Sequence, residues 1–517
     1  RKDYDICNTI LMRKGLLRSC CRFYKEDIDG EKILKIKVAS TNSEFSEETI
    51  NGVKVQIERG EYSNILESVC YYLKMASEHA SSIPQKEMLL KVVEHFQTGD
   101  FESNKNAREL IVLDRNPVVR CMYYFTENCR GPPGLRSEFF GMVAAVNKRA
   151  TKKCSRLVHK ANLILNKLPW GKAYEKDKYG KPDFAVVDMI ANGFNGLTMG
   201  LNSSNEVTMG SAQVFANIIS AIEVSTNFIN DRDLELLCRY DRSAGEVFTA
   251  LHELFGHGSG KLFKRLPNGK FNFDKDNTTD ILTGGKVTSW YEPGQSYSSV
   301  FGDLATAFEE CRAYAVAYLL CCDTEVLETM GYEGVSGQSL KYVIWLRQLR
   351  DGLRGIWAYN FKTQKWTNGH WWARYVMLKV ILEAGQGCVT VEQTKSGLFI
   401  NLDKTKIDSV GMPAVRNFLK KLQGYKSTAN VNAATELFNK YTVDRSSEQQ
   451  WFLNSLRAEL CGKNLMFVQP NTVMSGERLV DIVNYDETPE GVIQSVIDRY
   501  TMESVAKMED LWKAEKK

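Results

Sequence analysis

His252, Glu253 and His257 fall within six residues of one another in ALHELFGHGSGK (250–261), which holds two of the six histidines of the chain. Two imidazoles, a third ligand from elsewhere and an open position for water are what a hydrolytic zinc needs, with a carboxylate nearby to take the water's proton. The common form of this motif spaces its histidines four apart, roughly 40° around a helix. Here the spacing is five, and a regular α-helix would point the two side chains roughly 140° apart. They can share one ion only if the helix carries one extra residue as a π-type bulge, a distortion that Gly256 would make cheap. An irregular turn is therefore predicted. The bland rival makes both histidines structural, one buried and hydrogen-bonded and the other a helix C-cap.

A second acidic pair, Glu309 and Glu310 in FEECR (308–312), offers the missing ligand. Taken alone, adjacent glutamates usually mark a solvated face. Helical neighbours point about 100° apart, so only one of the two can reach an ion, and the other is free to hold a ligand histidine by its far ring nitrogen.

Two helices must position these groups. Val247, Phe248, Leu251, Leu254 and Phe255 form an amphipathic run that ends in glycines. Phe301, Leu304, Phe308, Cys311 and Ala315 form one apolar face of the other. Around them, alternation predicts strands at 33–39 and 53–58, and threes-and-fours spacing predicts helix over 61–96 and over 139–168, where Pro169 ends it. Residues 131–134 (GPPG) read as a turn and 193–210 as a loop with a short strand. From there to about 441 the pattern is mostly helical, with a hairpin-like interruption at 261–291.

Once these motifs are set side by side, the chain resembles the dipeptidyl peptidase III family of zinc exopeptidases, whose paired signatures are HExxGH and EECRA followed by an acid. Blocks 137–148, 168–184, 256–263, 370–387 and 468–472 carry the resemblance further, over roughly 115–472, while the first hundred residues match little. The resemblance implies an α+β, two-lobed fold. A predominantly helical zinc-binding lobe (148–186 with 223–463) would face a smaller mixed α/β lobe (1–147 with 187–222 and 464–517) bearing a β-barrel-like sheet, the active-site cleft lying between them. It implies one zinc ion per chain on His252, His257 and Glu310, Glu253 as general base, and Glu309 as outer partner of a ligand histidine. His370 would stabilise the transition state, with Arg374 one helical turn on; the plainer role for His370 is packing between Trp366 and Trp371. Glu127 would help hold the free amino terminus of a short peptide.

Departures from the family pattern are as informative. Cys129 stands where a tyrosine would donate to the scissile carbonyl, and a thiol is a weak donor. Losing such a donor typically costs on the order of 10²–10³ in kcat. Tyr314 follows EECRA in place of the acid, and Ser298, Glu206, Cys461 and Asn464 replace residues that grip the peptide. The metal residues are intact and the gripping residues altered. Three readings follow: an exopeptidase releasing N-terminal dipeptides, a zinc enzyme of the same fold acting on a non-peptide or unusual substrate, and a catalytically silent peptide-binding homologue.

Composition agrees with a folded chain of more than one core: 517 residues, 43% hydrophobic and 25% charged. A net charge of +4 gives no case for nucleic acid or anionic membrane as partner. The longest apolar run, AYAVAYLLCC (313–322), is too short for a bilayer and reads as a buried helix. Thirteen cysteines without a CxxC pair suggest reduced thiols, a cytoplasmic location and, with no assembly motif visible, a monomer. The opening RKDYDICNTI has neither a signal-peptide pattern nor an initiator Met, which leaves room for a further segment ahead of it.

Overall fold

A computed structural model describes the chain except residues 1, 29, 115–116, 128–136, 181–182, 194–199, 203–210, 217–227, 395–396, 442–467, 477–478, 487 and 516–517. Helix α1 (Lys2–Lys14) leads into strands β1 (Cys21–Ile28), β2 (Glu31–Ala39), β3 (Phe45–Ile50) and β4 (Val53–Glu61). These form a sheet in the order β1-β2-β4-β3, with β2 and β4 parallel and the other pairs antiparallel. Helices α2 (Ser63–Glu78), α3 (Ile83–Thr98) and α4 (Phe101–Leu113) follow. Ile36, Val38, Val55 and Ile57 from the sheet pack with Leu66, Leu89 and Phe96 in one buried cluster. The helix expected over 61–96 is thus two helices. The break falls where Ser82 accepts from the Gln85 amide as an N-cap and Pro84 occupies the first turn.

The second sheet joins β5 (Val119–Glu127), β6 (Ser137–Val146), β7 (Asp183–Asn192), β8 (Gly200–Asn202) and β9 (Ser211–Ala216) in the order β5-β6-β7-β9-β8. Only β7 and β9 run parallel. Strand β6 corrects the helix expected over 139–168: it is apolar on both faces because Phe140, Met142 and Ala144 pack into one buried cluster while Phe139 and Val143 pack against another, so it lacks the alternation of a half-exposed strand. Helix α5 (Lys148–His159) starts only at Asn147, whose side chain accepts from the Ala150 amide. Among the described strands both sheets are open, and the barrel-like closure that was expected is absent.

The helical lobe holds α6 (Ala161–Leu165), α7 (Asp231–Leu251), α8 (Tyr297–Phe301), α9 (Ala305–Leu320), α10 (Thr324–Thr329), α11 (Gly334–Arg354), α12 (Gly369–Glu383), α13 (Met412–Ser427) and α14 (Val431–Lys440). Helix α9 runs through its centre, packed by α7, α12 and α13, and is buried on nearly every face. That burial corrects the single apolar face expected for it; Phe301 and Leu304 belong to separate turns before it, on either side of Gly302 at φ +52°. Segment 261–291 is irregular, tied by isolated bridges such as Lys264 with Tyr291 rather than by a regular hairpin. True hairpins occur at Val389–Thr394 with Gly397–Leu402 and at Tyr359–Asn360 with Lys365–Trp366, neither of which the sequence pattern announced. No helix among the described residues is long and apolar enough to cross a membrane. The eleven described cysteines are all free thiols.

Candidate metal centre

Helix α7 does not end at Leu251 but widens into a π turn over His252–His257. The irregular turn required by the five-residue spacing is present, at the predicted place. A π turn strands backbone carbonyls, and side chains collect them. Tyr179 Oη donates to Leu254 O at 3.0 Å, and Arg312 Nη2 donates to Gly256 O at 2.6 Å. Gly256 permits the close approach of α9: a Cβ there would stand 2.8 Å from the Ala313 Cα.

The turn brings the two imidazoles together edge to face, ring centroids 4.8 Å apart. Glu310, from α9, meets both: its Oε2 lies 3.2 Å from His252 Nε2 and its Oε1 3.6 Å from His257 Nε2. One ligand atom from each of the three residues falls within 4.8 Å of the others, a grouping able to hold a metal ion. His370, near the start of α12, puts its Nδ1 3.0 Å from Glu310 Oε2. The Trp366 ring stacks on Trp372, with centroids 6.1 Å apart.

Glu309 turns the other way, as adjacent helical positions must. Its Oε1 lies 3.1 Å from His257 Nδ1 and accepts from Arg312 Nη2 at 2.6 Å, while its Oε2 accepts from Arg312 Nε at 2.9 Å and from Lys426 Nζ. Burial would raise the Glu309 carboxyl, but Arg312 and Lys426 outweigh it and hold the group well below the usual carboxylate range. Glu310 is likewise held low against its burial by His370 and His257. Burial also works against a His257 cation, yet Glu310 and Glu309 facing it carry its pKa upward. Glu253, buried beside both histidines, behaves oppositely: desolvation dominates and pushes its carboxyl up.

Arg374 does not reach outward as a free cation. Its Nε donates to Tyr314 Oη at 3.0 Å, its Nη1 lies 3.6 Å from Asp351, and its guanidinium stacks 4.7 Å from the Trp371 ring centroid. Glu127 ends β5 opposite Ser137, but its side chain lies outside the described residues, as do Cys129, Glu206, Cys461 and Asn464. Of the altered positions off α9, only Ser298 is described, and it bonds Ser296 in the capping turn of its own helix. The sequence reading missed the network beneath the π turn. Arg312, fully buried, also donates to Ser259 Oγ and Gln423 Oε1; Glu175 accepts from the Gly260 amide; Lys426 comes from the far end of α13. Arg312 was findable, one turn after Glu309. Lys426 carried no signal.

A two-lobed, largely helical chain with two histidines and a glutamate gathered at a π turn defines the class to which this protein belongs: one with a buried candidate metal site. The model of peptidase family M49 matches residues 1–500, and the chain belongs to that family. The match includes the first hundred residues, correcting the expectation that they carry little of the resemblance. Dipeptidyl peptidase 3 of Rattus norvegicus is 36% identical over 87% of this chain and 63% of its own length. Dipeptidyl peptidase 3 of Homo sapiens is 33% identical over 96% of this chain and 71% of its own. The chain therefore spans about 63% of the rat relative. The solved structure of DPP III from Caldithrix abyssi superposes with a TM-score of 0.56 at 18% identity, covering 81% of this chain and 73% of that one. That from Corallococcus sp. strain EGB gives 0.55 at 16% identity, over 81% and 72%. Both are likenesses of fold.

Proposed function

We propose that the chain is a zinc-dependent exopeptidase that releases dipeptides from the amino terminus of short peptides. The observation that carries this is the position of Glu310 between two Nε2 atoms, at 3.2 and 3.6 Å. Ligand atoms about 2.0–2.1 Å from a tetrahedral ion stand about 3.3 Å from one another; those of His252, His257 and Glu310 lie within 4.8 Å of one another, so a modest contraction would let the three hold zinc. Two imidazoles and one carboxylate are also the donors of known hydrolytic zinc sites. Bound there, zinc would polarise a carbonyl and lower the pKa of a coordinated water towards ~7.

The protein's own groups supply the proton traffic. Glu253 sits on the π turn between the two histidines, and its upward-shifted carboxyl suits a group that takes a proton from water and passes it to the leaving amine. His370, the most open of the three imidazoles around Glu310, would donate to a developing oxyanion. Strands β8 and β9 lie against the π turn, so an extended peptide would reach the site beside a sheet edge. The name shared by the curated relatives supports the dipeptidyl cut. None of the described substitutions favours the non-peptide or silent readings.

The test is metal content together with turnover of dipeptidyl arylamides. One zinc per chain with release of the dipeptide is expected, and Glu253→Gln should keep the zinc while losing ~10²–10⁴ in kcat. Protein that binds no zinc, or zinc-loaded protein that turns over no dipeptidyl substrate, refutes the proposal.

A further inference from the structure

The two candidate ligand histidines are supported unequally. His257 points its Nδ1 at Glu309, an anionic acceptor fixed in turn by Arg312 and Lys426. His252 Nδ1 is buried and has no hydrogen-bond partner among the described residues, although the residue is only 6% exposed. What lies against this ring is Tyr314, centroid to centroid 4.6 Å at 48°. Tyr314 stands one helical turn after Glu310 on α9, and its hydroxyl is engaged by Arg374 Nε rather than by His252. A neutral imidazole that ligates through Nε2 must carry its proton on Nδ1. At His257 that proton has an acceptor. At His252 no described residue accepts it, and an aromatic ring lies there.

We propose that Tyr314 makes His252 the weakly held ligand of the metal site: packing orients the ring, but no described residue accepts its Nδ1 proton and so fixes its tautomer. Removal of an outer partner from a metal-binding histidine typically costs 10–100-fold in affinity. Among the described residues one of two such partners is missing, so zinc should leave by way of His252 and be more exchangeable than at a site with both imidazoles clamped. Position 314 decides which kind of site the fold makes, because its side chain is the one packed on the His252 ring.

The inference rests on the zinc reading above, and the experiment separates the two. Zinc alone is titrated against a competing chromophoric chelator, for the wild-type protein and for Tyr314→Glu, Tyr314→Gln, Tyr314→Phe and Glu309→Gln, each checked for native circular dichroism. Tyr314→Glu should tighten zinc 10–100-fold. Tyr314→Gln offers an amide oxygen to the same proton without burying a charge, so it should move affinity in the same direction and serves if the glutamate variant does not fold. Tyr314→Phe should leave affinity unchanged, and Glu309→Gln should weaken it. Folded Glu and Gln variants with unchanged or weaker affinity overturn the inference, as does weakening by Tyr314→Phe, which would mean that the hydroxyl holds His252 after all. A wild-type chain that binds no zinc fails the earlier proposal and takes this one with it; zinc bound one to one with no effect at 314 fails this one alone.

Discussion

Gly256 lies flat against Ala313: a Cβ on the glycine would stand 2.7 Å from the Ala313 Cβ, 2.8 Å from its Cα and 3.0 Å from its carbonyl oxygen. The obstruction is largely backbone, so no rotamer change relieves it. Gly256→Ala must push the π turn off α9, and the two elements carry His257 and Glu310 respectively. Overpacking of this kind costs about 1–3 kcal/mol. Urea unfolding should show that loss, and zinc affinity should fall with it because the ligand atoms separate. Unchanged stability and affinity would mean that the two helices can part without disturbing the site.

Arg312 is fully buried and is the hub beneath the π turn, donating to Glu309, Gly256 O, Ser259 and Gln423. Arg312→Met leaves Glu309 buried with only Lys426 and His257 beside it and takes the Arg312 donor from the Gly256 carbonyl. Breaking a buried charge pair on one side typically costs about 3–5 kcal/mol. Glu309→Gln added to Arg312→Met would leave Lys426 buried without its carboxylate, so it is the triple variant Glu309→Gln/Arg312→Met/Lys426→Met, with all three charges gone, that should recover part of that. A triple variant no more stable than Arg312→Met would show that the arginine acts mainly through the backbone carbonyl.

How much of this was legible in the sequence depends on distance along the chain. His252, Glu253 and His257 were readable because the chemistry dictates residue types at short spacings, and the five-residue gap demanded the π turn; Glu310, far along the chain, was singled out from Glu309 only by the resemblance to the paired HExxGH and EECRA motifs. The opposite facing of Glu309 and Glu310 followed from helix geometry alone. Strand β6 was misread because a strand covered on both faces has no alternation to show, and the evenly buried α9 hid its periodicity for the same reason. Lys426 and Glu175 reach the site from more than eighty residues away on either side. A buried lysine looks like any other until the fold is known.

Asp351 offers a test by pH. It is enclosed by Arg350, Arg374, Arg354 and Arg347, which overcome its burial and lower its pKa to about 2. A folded pKa below the unfolded value of 3.8 stabilises the protein fully above that value, and the contribution fades as pH falls towards 2. The shift corresponds to about 2 kcal/mol, of which roughly half is gone by pH 3. Asp351→Asn should therefore be less stable than wild type at pH 7, with a gap that narrows by about 1 kcal/mol at pH 3. Urea melts at the two pH values measure it. A gap that is constant across them would mean that the arginines do not shift Asp351.

His370 and His257 both face Glu310, yet their side chains differ in exposure, 39% against 14%. A ligand can be closed off, whereas a group that serves the substrate must be reachable. His370 approaches Glu310 through Nδ1 at 3.0 Å, on the oxygen that faces His252, so the proposed oxyanion role would require it to exchange that contact for a substrate oxygen. His370→Ala should then lower kcat by about 10²–10³, as loss of one oxyanion donor does, with KM changed little. Zinc affinity should stay within about tenfold of wild type, since His370 supports Glu310 but is not needed as a ligand. His257→Ala, by contrast, should lose the metal itself. Equilibrium dialysis against zinc, run beside arylamide kinetics, separates the two variants, and His370→Ala protein that has lost its zinc in step with its activity would place His370 among the ligands instead.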